Sequence, residues 1–163
     1  MKLFDSRGSL VTDFEYGQLS RAASLSSGHE VTMTMYYAPW DLDSQRFRRD
    51  FELVAEHYGN QINFVAINCW WPEGECSRKL SIKRYPVLSA FLRNWGEVEY
   101  RGPLVASYII PFLDNLLDPV VPINSDGDLL EIRSKHDVSI ISQFTSLQSF
   151  HCALIVGGRC WLL

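Results

Sequence analysis

The sequence is poor in the features that mark nucleic-acid, membrane and metal proteins. It carries 15 Lys and Arg against 19 Asp and Glu, a formal net charge of −4. Its densest basic cluster, Arg46, Arg48 and Arg49, reads as the solvated face of a helix, so no nucleic-acid partner is expected. Its purely apolar runs are a few residues long, far short of the ~20 that a bilayer span needs. Met1 to Gly8 lack the apolar core of a secretory signal, so the chain is expected either to be cytosolic or to lack its natural front end. The four His (His29, His57, His136, His151) are scattered, and the spacings of Cys69, Cys76, Cys152 and Cys160 match no common zinc site. No metal and no cofactor is expected. An even cysteine count permits two disulfides in an oxidising compartment without requiring them.

What is present suits a soluble globular protein. Apolar residues make up 47% and charged residues 21% of the 163 positions. That length fits one domain, or one domain and a fragment. Five Trp and seven Tyr supply a core, with aromatic material left for a surface.

The chain is organised around Tyr36-Tyr37-Ala38-Pro39-Trp40-Asp41-Leu42-Asp43-Ser44. An apolar, β-prone run, Val31 to Tyr37, precedes the turn. A helical pattern follows, with Phe47, Phe51, Val54, Ala55 and Tyr58 on one face and a stop at Gly59-Asn60. Ile62 to Asn68 is nearly apolar throughout, as a strand covered on both faces should be. Strand, helix and strand make a right-handed βαβ unit with parallel strands. Upstream, Ser9 to Phe14 reads as extended, and Thr12 or Asp13 is expected to cap a first helix through Leu19 to Ala23. Downstream come a loop from Cys69 to Cys76, a short helix near Ser77 to Leu80, and a strand Val87 to Leu92. A turn at Asn94-Trp95-Gly96 leads to an antiparallel return, Glu97 to Tyr100. Gly102-Pro103 opens a helix through Val105 to Leu117; it contains Pro111, which should kink or restart it. After Asp118-Pro119 the cycle reopens: Val120 to Ile123 extended, Asp126 to His136 helical, Val138 to Ser142 a strand. From Ser146 to Leu163 neither period is clear. Either the chain is cut short there or the tail packs back on the first domain.

The order β-α-β-α-β-α-β-β-α over Ser9 to Asp118 resembles the thioredoxin fold. Tyr37-Ala38-Pro39-Trp40 resembles the tetrapeptide that precedes the active site of protein disulfide isomerase domains. Tyr85-Pro86 stands where that family carries its cis-proline, and Glu99-Tyr100-x-Gly102-Pro103 resembles the family's approach to its last helix. The resemblance implies an α/β thioredoxin fold, a mixed central sheet flanked by helices, followed by an incomplete second thioredoxin-like unit. The expected organisation is an N-terminal tail 1–8, a thioredoxin-like domain 9–118, an incomplete unit 119–145 and an irregular tail 146–163. The run Ile67-Asn68-Cys69-Trp70-Trp71 with Cys76, and the second unit, are similar to one membrane-anchored branch of the family in the endoplasmic reticulum. That branch is associated with dual oxidase maturation. The resemblance therefore implies a client-protein partner of that type and a location in, or anchored facing, the reticulum lumen. It also implies a chain without its anchor.

Active members of the family place Cys-x-x-Cys after Ala-Pro-Trp. The first thiolate attacks a substrate disulfide and the second cysteine resolves the mixed disulfide. Here those positions are Asp41 and Ser44, which have no thiol. Asp41, Asp43 and Ser44 suit helix capping. Asp41 and Asp43 alone lack the further ligands that a metal needs. Parallel strands ending together bring Cys69 to the edge that holds Trp40. A Cys69–Cys76 bridge would shape its loop, or the pair would be redox-active; both readings stand. Trp40, Trp70, Trp71 and the Tyr85-Pro86 loop gather on the same edge. There the family holds an extended peptide through backbone groups beside the cis-proline. The expected function is a redox-inactive binding module for client proteins, with no isomerase activity at Asp41 and Ser44. The alternative is a thiol–disulfide oxidoreductase using Cys69 and Cys76.

Overall fold

A computed structural model describes residues 2–4, 8–93, 95–118 and 125–135, with the pairs 155–156 and 159–160. It divides into two compact units, Met1–Ile109 and Ile110–Leu163.

The first unit is built on a five-stranded sheet. Its elements are β1 (Val11–Phe14), α1 (Leu19–Ser26), β2 (Val31–Tyr37), α2 (Leu42–Tyr58), β3 (Asn63–Asn68), α3 (Glu75–Lys79), β4 (Val87–Leu92) and β5 (Gly96–Tyr100). The strand order is β1-β3-β2-β4-β5. β3 runs parallel to both β1 and β2, as the βαβ reading requires, and β4 runs antiparallel to β2 and β5. The fold is the mixed-sheet α/β thioredoxin fold that the resemblance implies.

Alternation along the strands decides which side of the sheet each residue faces. Met33, Met35 and Tyr37 of β2 and Phe64 of β3 are buried, as are Phe47, Phe51 and Val54 of α2. Phe51 sits at the centre of this aromatic core, with ring centroids 5.8 Å from Phe47, 5.8 Å from Phe4 and 5.5 Å from Phe64. The opposite face carries a second cluster, Phe14, Ala22, Val65, Ile67, Cys69 and Cys76.

Sequence reasoning gave Phe4 no role, yet it is 1% exposed. Asp13 accounts for it. Its Oδ2 accepts the backbone N–H groups of Leu3 (2.9 Å) and Phe4 (3.0 Å), and its Oδ1 accepts the Tyr37 hydroxyl at 2.7 Å. Burial raises the Asp13 pKa, and the three donors only partly offset it. Asp13 is thus a strand residue that pins the N-terminal segment, not the expected cap of α1. Thr12 likewise lies inside β1. α1 begins after Gln18 with no side-chain cap from its own flank. Its orphan donor is met from far along the chain: Glu75 accepts both the N–H and the hydroxyl of Ser20, each at 2.7 Å.

α2 ends at Gly59, whose φ of +55° is the positive value that glycine tolerates, although its ψ of −116° is not that of a left-handed helical residue. α4 (Ala106–Leu117) is tethered at its start by Asp50, which accepts the Ala106 N–H at 3.0 Å. Pro111 lies inside α4 and does not restart it; a proline removes one backbone donor, and the helix continues past it.

In the second unit, α5 (Asp126–Lys135) opens on a reciprocal cap. The Ser125 hydroxyl accepts the Asp128 N–H and the Asp128 carboxylate accepts the Ser125 N–H, at 3.2 and 3.0 Å. β6 (Ile155–Val156) pairs antiparallel with β7 (Arg159–Cys160). The expected extended segment 120–123, the strand 138–142 and Cys152 lie outside the described residues.

Candidate functional site

β2 delivers the chain to a turn in which the Asp41 N–H bonds back to the Ala38 carbonyl at 3.1 Å. Asp41 is the N-cap of α2. Its Oδ2 accepts both the N–H and the hydroxyl of Ser44, each at 2.8 Å, and Ser44 is fully buried. The two positions that carry thiols in active isomerase domains are therefore bonded to each other as a helix cap. Neither holds sulfur, so neither can enter a mixed disulfide. Asp43 is exposed, with Arg46 at 3.7 Å. No group of three His, Cys, Asp or Glu among the described residues is placed to hold a metal.

The neighbouring strand brings the second half of the site. Tyr37 of β2 is level with Asn68 of β3, so the loop after β3 emerges beside Trp40. The Cys69 N–H donates to the Tyr37 carbonyl at 2.9 Å. Asn68 fixes the exit, donating to the Glu15 carbonyl and accepting the Trp70 N–H, both at 3.0 Å. Cys69 and Cys76 form a disulfide with Cα atoms 4.9 Å apart, inside the usual range. Both are buried, at 3% and 0% exposure.

Two glycines let the flanking loops touch. A Cβ on Gly17, where φ is +66°, would lie 2.9 Å from the Asn68 carbonyl oxygen, and one on Gly74 would lie 2.8 Å from that of Tyr16. The Cys76 N–H closes the contact by donating to the Gly17 carbonyl at 3.0 Å. The Ser77 hydroxyl, 2.6 Å from the Trp71 carbonyl, braces the loop from within.

Outside this braced frame stands a row of exposed rings. Trp40 is 55%, Trp70 56% and Trp71 37% exposed. Trp40 meets Trp70 edge-on at 5.0 Å and Tyr85 edge-on at 6.5 Å. The Tyr85 hydroxyl lies 3.3 Å from the Cys69 carbonyl, and the Tyr85–Pro86 peptide bond is cis. Burial, and next the Asp41 charge, raise the Tyr85 pKa. Of the residues expected at this edge, Trp40 packs against Trp70 and Tyr85, while the Trp71 ring packs on Tyr16. Tyr16 joins them at 5.4 Å from Trp71; sequence reasoning passed over it, although its place just beyond β1, which runs parallel to β3, was the available signal. An edge of half-exposed rings on a rigid frame suits capture of an apolar or aromatic chain.

No family model matches the chain. It is 35% identical over 144 residues, 88% of its length, to thioredoxin domain-containing protein 11 of Bos taurus. It is 35% identical over 141 residues to the Homo sapiens protein of that name. It spans 15% and 14% of those two relatives. Among solved structures, the Trx4 domain of ERdj5 superposes with a TM-score of 0.55 at 19% identity, covering 69% of this chain and 99% of that one, a likeness of fold. The sheet order, the cis Tyr85–Pro86 bond, the Ala-Pro-Trp turn into α2 and the sequence identity agree: this chain belongs to the thioredoxin-like, protein disulfide isomerase family.

Proposed function

We infer that the first unit is a redox-inactive thioredoxin-like binding module that holds a client protein on the edge formed by Trp40, Trp70, Trp71 and Tyr85. The observation that carries this reading is the pairing of exposed tryptophans with a thiol-free N-cap. The frame of a disulfide exchange site is kept, its sulfur positions are bonded to each other, and its rings are left open to solvent. Covering Trp70 would remove on the order of 100 Å² of apolar surface from water, ~2–3 kcal/mol of driving force. The client class implied by the resemblance, a dual oxidase-type protein maturing in the endoplasmic reticulum, belongs to this proposal. So does an adaptor role for a longer, membrane-anchored protein of which this unit would be one module.

The competing reading makes Cys69 and Cys76 a catalytic pair. The burial of both cysteines and their packing against Phe14, Val65 and Ile67 weigh against it, because exchange needs an accessible sulfur. Two assays test the choice together. In an insulin-reduction assay with dithiothreitol, the binding module gives no turnover above background. In crosslinking to a reduced, carboxymethylated protein, capture falls on Trp70→Ala or Trp71→Ala with the circular dichroism unchanged. Turnover that disappears on Cys69→Ala, or capture indifferent to both tryptophans, would overturn the reading.

A further inference from the structure

Among the described residues, the α1 side of the sheet is covered over only part of its width. α1 lies over β3, and α3, five residues long, packs beside α1. Two adjoining cavities of about 450 and 230 Å³ open there over β2, β4 and β5. They share Tyr36, Ser89 and Glu97. Register explains the gathering. Ser89 is level with Thr34 on one side and Glu99 on the other, and Phe91 is level with Glu97, so these side chains share one face.

The groove is open to solvent and mixed in character: Glu97 and Glu99 are exposed, while Thr34 and Ser89 are buried. Glu97 Oε1 accepts the hydroxyls of Tyr36, at 3.3 Å, and of Ser89. Its Oε2 has no protein partner, and Glu97 is in no ion pair, among the described residues. Glu99 also lines the larger cavity and is paired with Arg101 at 3.2 Å. Thr34 is 8% exposed, lines the smaller cavity, and its hydroxyl neither donates nor accepts a side-chain hydrogen bond among the described residues, so its oxygen is free to accept. On the apolar side stand Ile82, Val87 and the half-exposed ring of Phe91. Burial, and next the Glu97 charge, push the Tyr36 pKa up to about 12, so this hydroxyl stays a donor throughout the physiological range.

An oriented carboxylate with one free oxygen selects its occupant by charge. An apolar segment laid here would strip water from Glu97 without replacing it, which is costly. A guanidinium compensates: it is planar, forks to carboxylate and hydroxyl oxygens together, and stacks on aromatic rings. We propose that this groove is a second binding site, for an arginine side chain flanked by apolar residues on an extended segment of a partner protein. The guanidinium contacts Glu97 and Thr34, and the flanking apolar residues cover Val87 and Phe91. The site lies on the face of the sheet and does not depend on the aromatic edge at its end.

The test uses the full chain labelled with ¹⁵N and two probes, acetyl-Ile-Arg-Leu-amide and its citrulline counterpart, which has the same shape without the charge. The arginine peptide should shift the amide resonances of Tyr36, Ser89, Phe91 and Glu97 in a saturable way, and the citrulline peptide should not. Glu97→Gln, which keeps size and hydrogen-bonding capacity, should weaken binding by about tenfold or more. Glu56→Gln, the same charge removed from the exposed face of α2, should leave it unchanged. Any of four results overturns the proposal: equal shifts with citrulline, shifts that map elsewhere, binding indifferent to Glu97→Gln in a variant with the wild-type spectrum, or self-association through this face in place of peptide binding.

Discussion

Reducing the Cys69–Cys76 bond should cost the first unit a defined amount of stability without dismantling its fold. The bond spans seven positions. For a loop so short, the chain-entropy relation gives about 2.5 kcal/mol. Little further loss is expected from the loop, because other contacts hold it: Cys76 N–H to Gly17, Ser77 to Trp71 and Glu75 to Ser20. Double replacement by alanine suits the test better than serine, since serine would place two hydroxyls among Phe14, Val65 and Ile67. The alanine pair also loses buried sulfur, so a total of roughly 3–5 kcal/mol is expected. Urea unfolding of the wild type with and without dithiothreitol, and of Cys69→Ala/Cys76→Ala, measures it. Burial also predicts a kinetic result: the bond should resist glutathione in the native protein and reduce quickly once urea is added. A loss below about 1 kcal/mol, or ready reduction of the native protein, would refute the reasoning.

Further outcomes follow from the same contacts. Asp41→Ala removes an N-cap and the acceptor of a buried hydroxyl, and should cost roughly 2–3 kcal/mol in urea unfolding, whereas Asp41→Asn should cost much less. Asp41→Cys/Ser44→Cys should acquire insulin-reducing activity; the new thiol at position 41, at the start of a 17-residue helix, should titrate below the ordinary ~8.5 in an alkylation-rate profile. The Asp13 pKa is raised in the fold, so its protonated form is favoured there. Its contribution to stability is fully present below the unfolded value of ~3.9 and is lost as pH rises through the folded value. Relative to Asp13→Asn, the wild type should therefore gain stability as pH falls from neutral towards ~4, and the Asp13 carboxyl should show a raised midpoint by NMR.

Much of this arrangement was legible in the sequence because it rests on local signals. The periodicities of Val31–Tyr37, the Phe47–Tyr58 face and Ile62–Asn68 are strong, and β2, α2 and β3 fall where they predict. Parallel pairing then forces Trp40 and Cys69 to one edge, so the core of the site follows from topology alone. What escaped was long-range. Asp13 looks like a cap for α1 because acidic residues before a helix usually are, yet a buried tyrosine hydroxyl and the N-terminal backbone claim it. The donor it was expected to satisfy is met by Glu75, 55 residues on. How far each ring at the edge stands open was not legible either: Trp40 is 55% exposed, its ring edge-on to Trp70 and Tyr85. The groove around Glu97 gave no signal because alternation in β5 marks Glu97 and Glu99 only as solvent-facing. The helix near Ser77 to Leu80 was legible as short; that the sheet face beside it opens into cavities over β2, β4 and β5 becomes evident only in the structure.

The central claim is that the aromatic edge, with no thiol chemistry, holds an extended client chain. The most direct measurement is the affinity of the intact protein for a reduced, carboxymethylated protein by tryptophan-fluorescence titration. It is compared across the wild type, Trp70→Ala, Trp71→Ala and Cys69→Ala/Cys76→Ala. The account predicts saturable binding, weakened on the order of tenfold or more by each tryptophan replacement and largely kept by the alanine pair. Binding that ignores both tryptophans and vanishes with the two cysteines would contradict it.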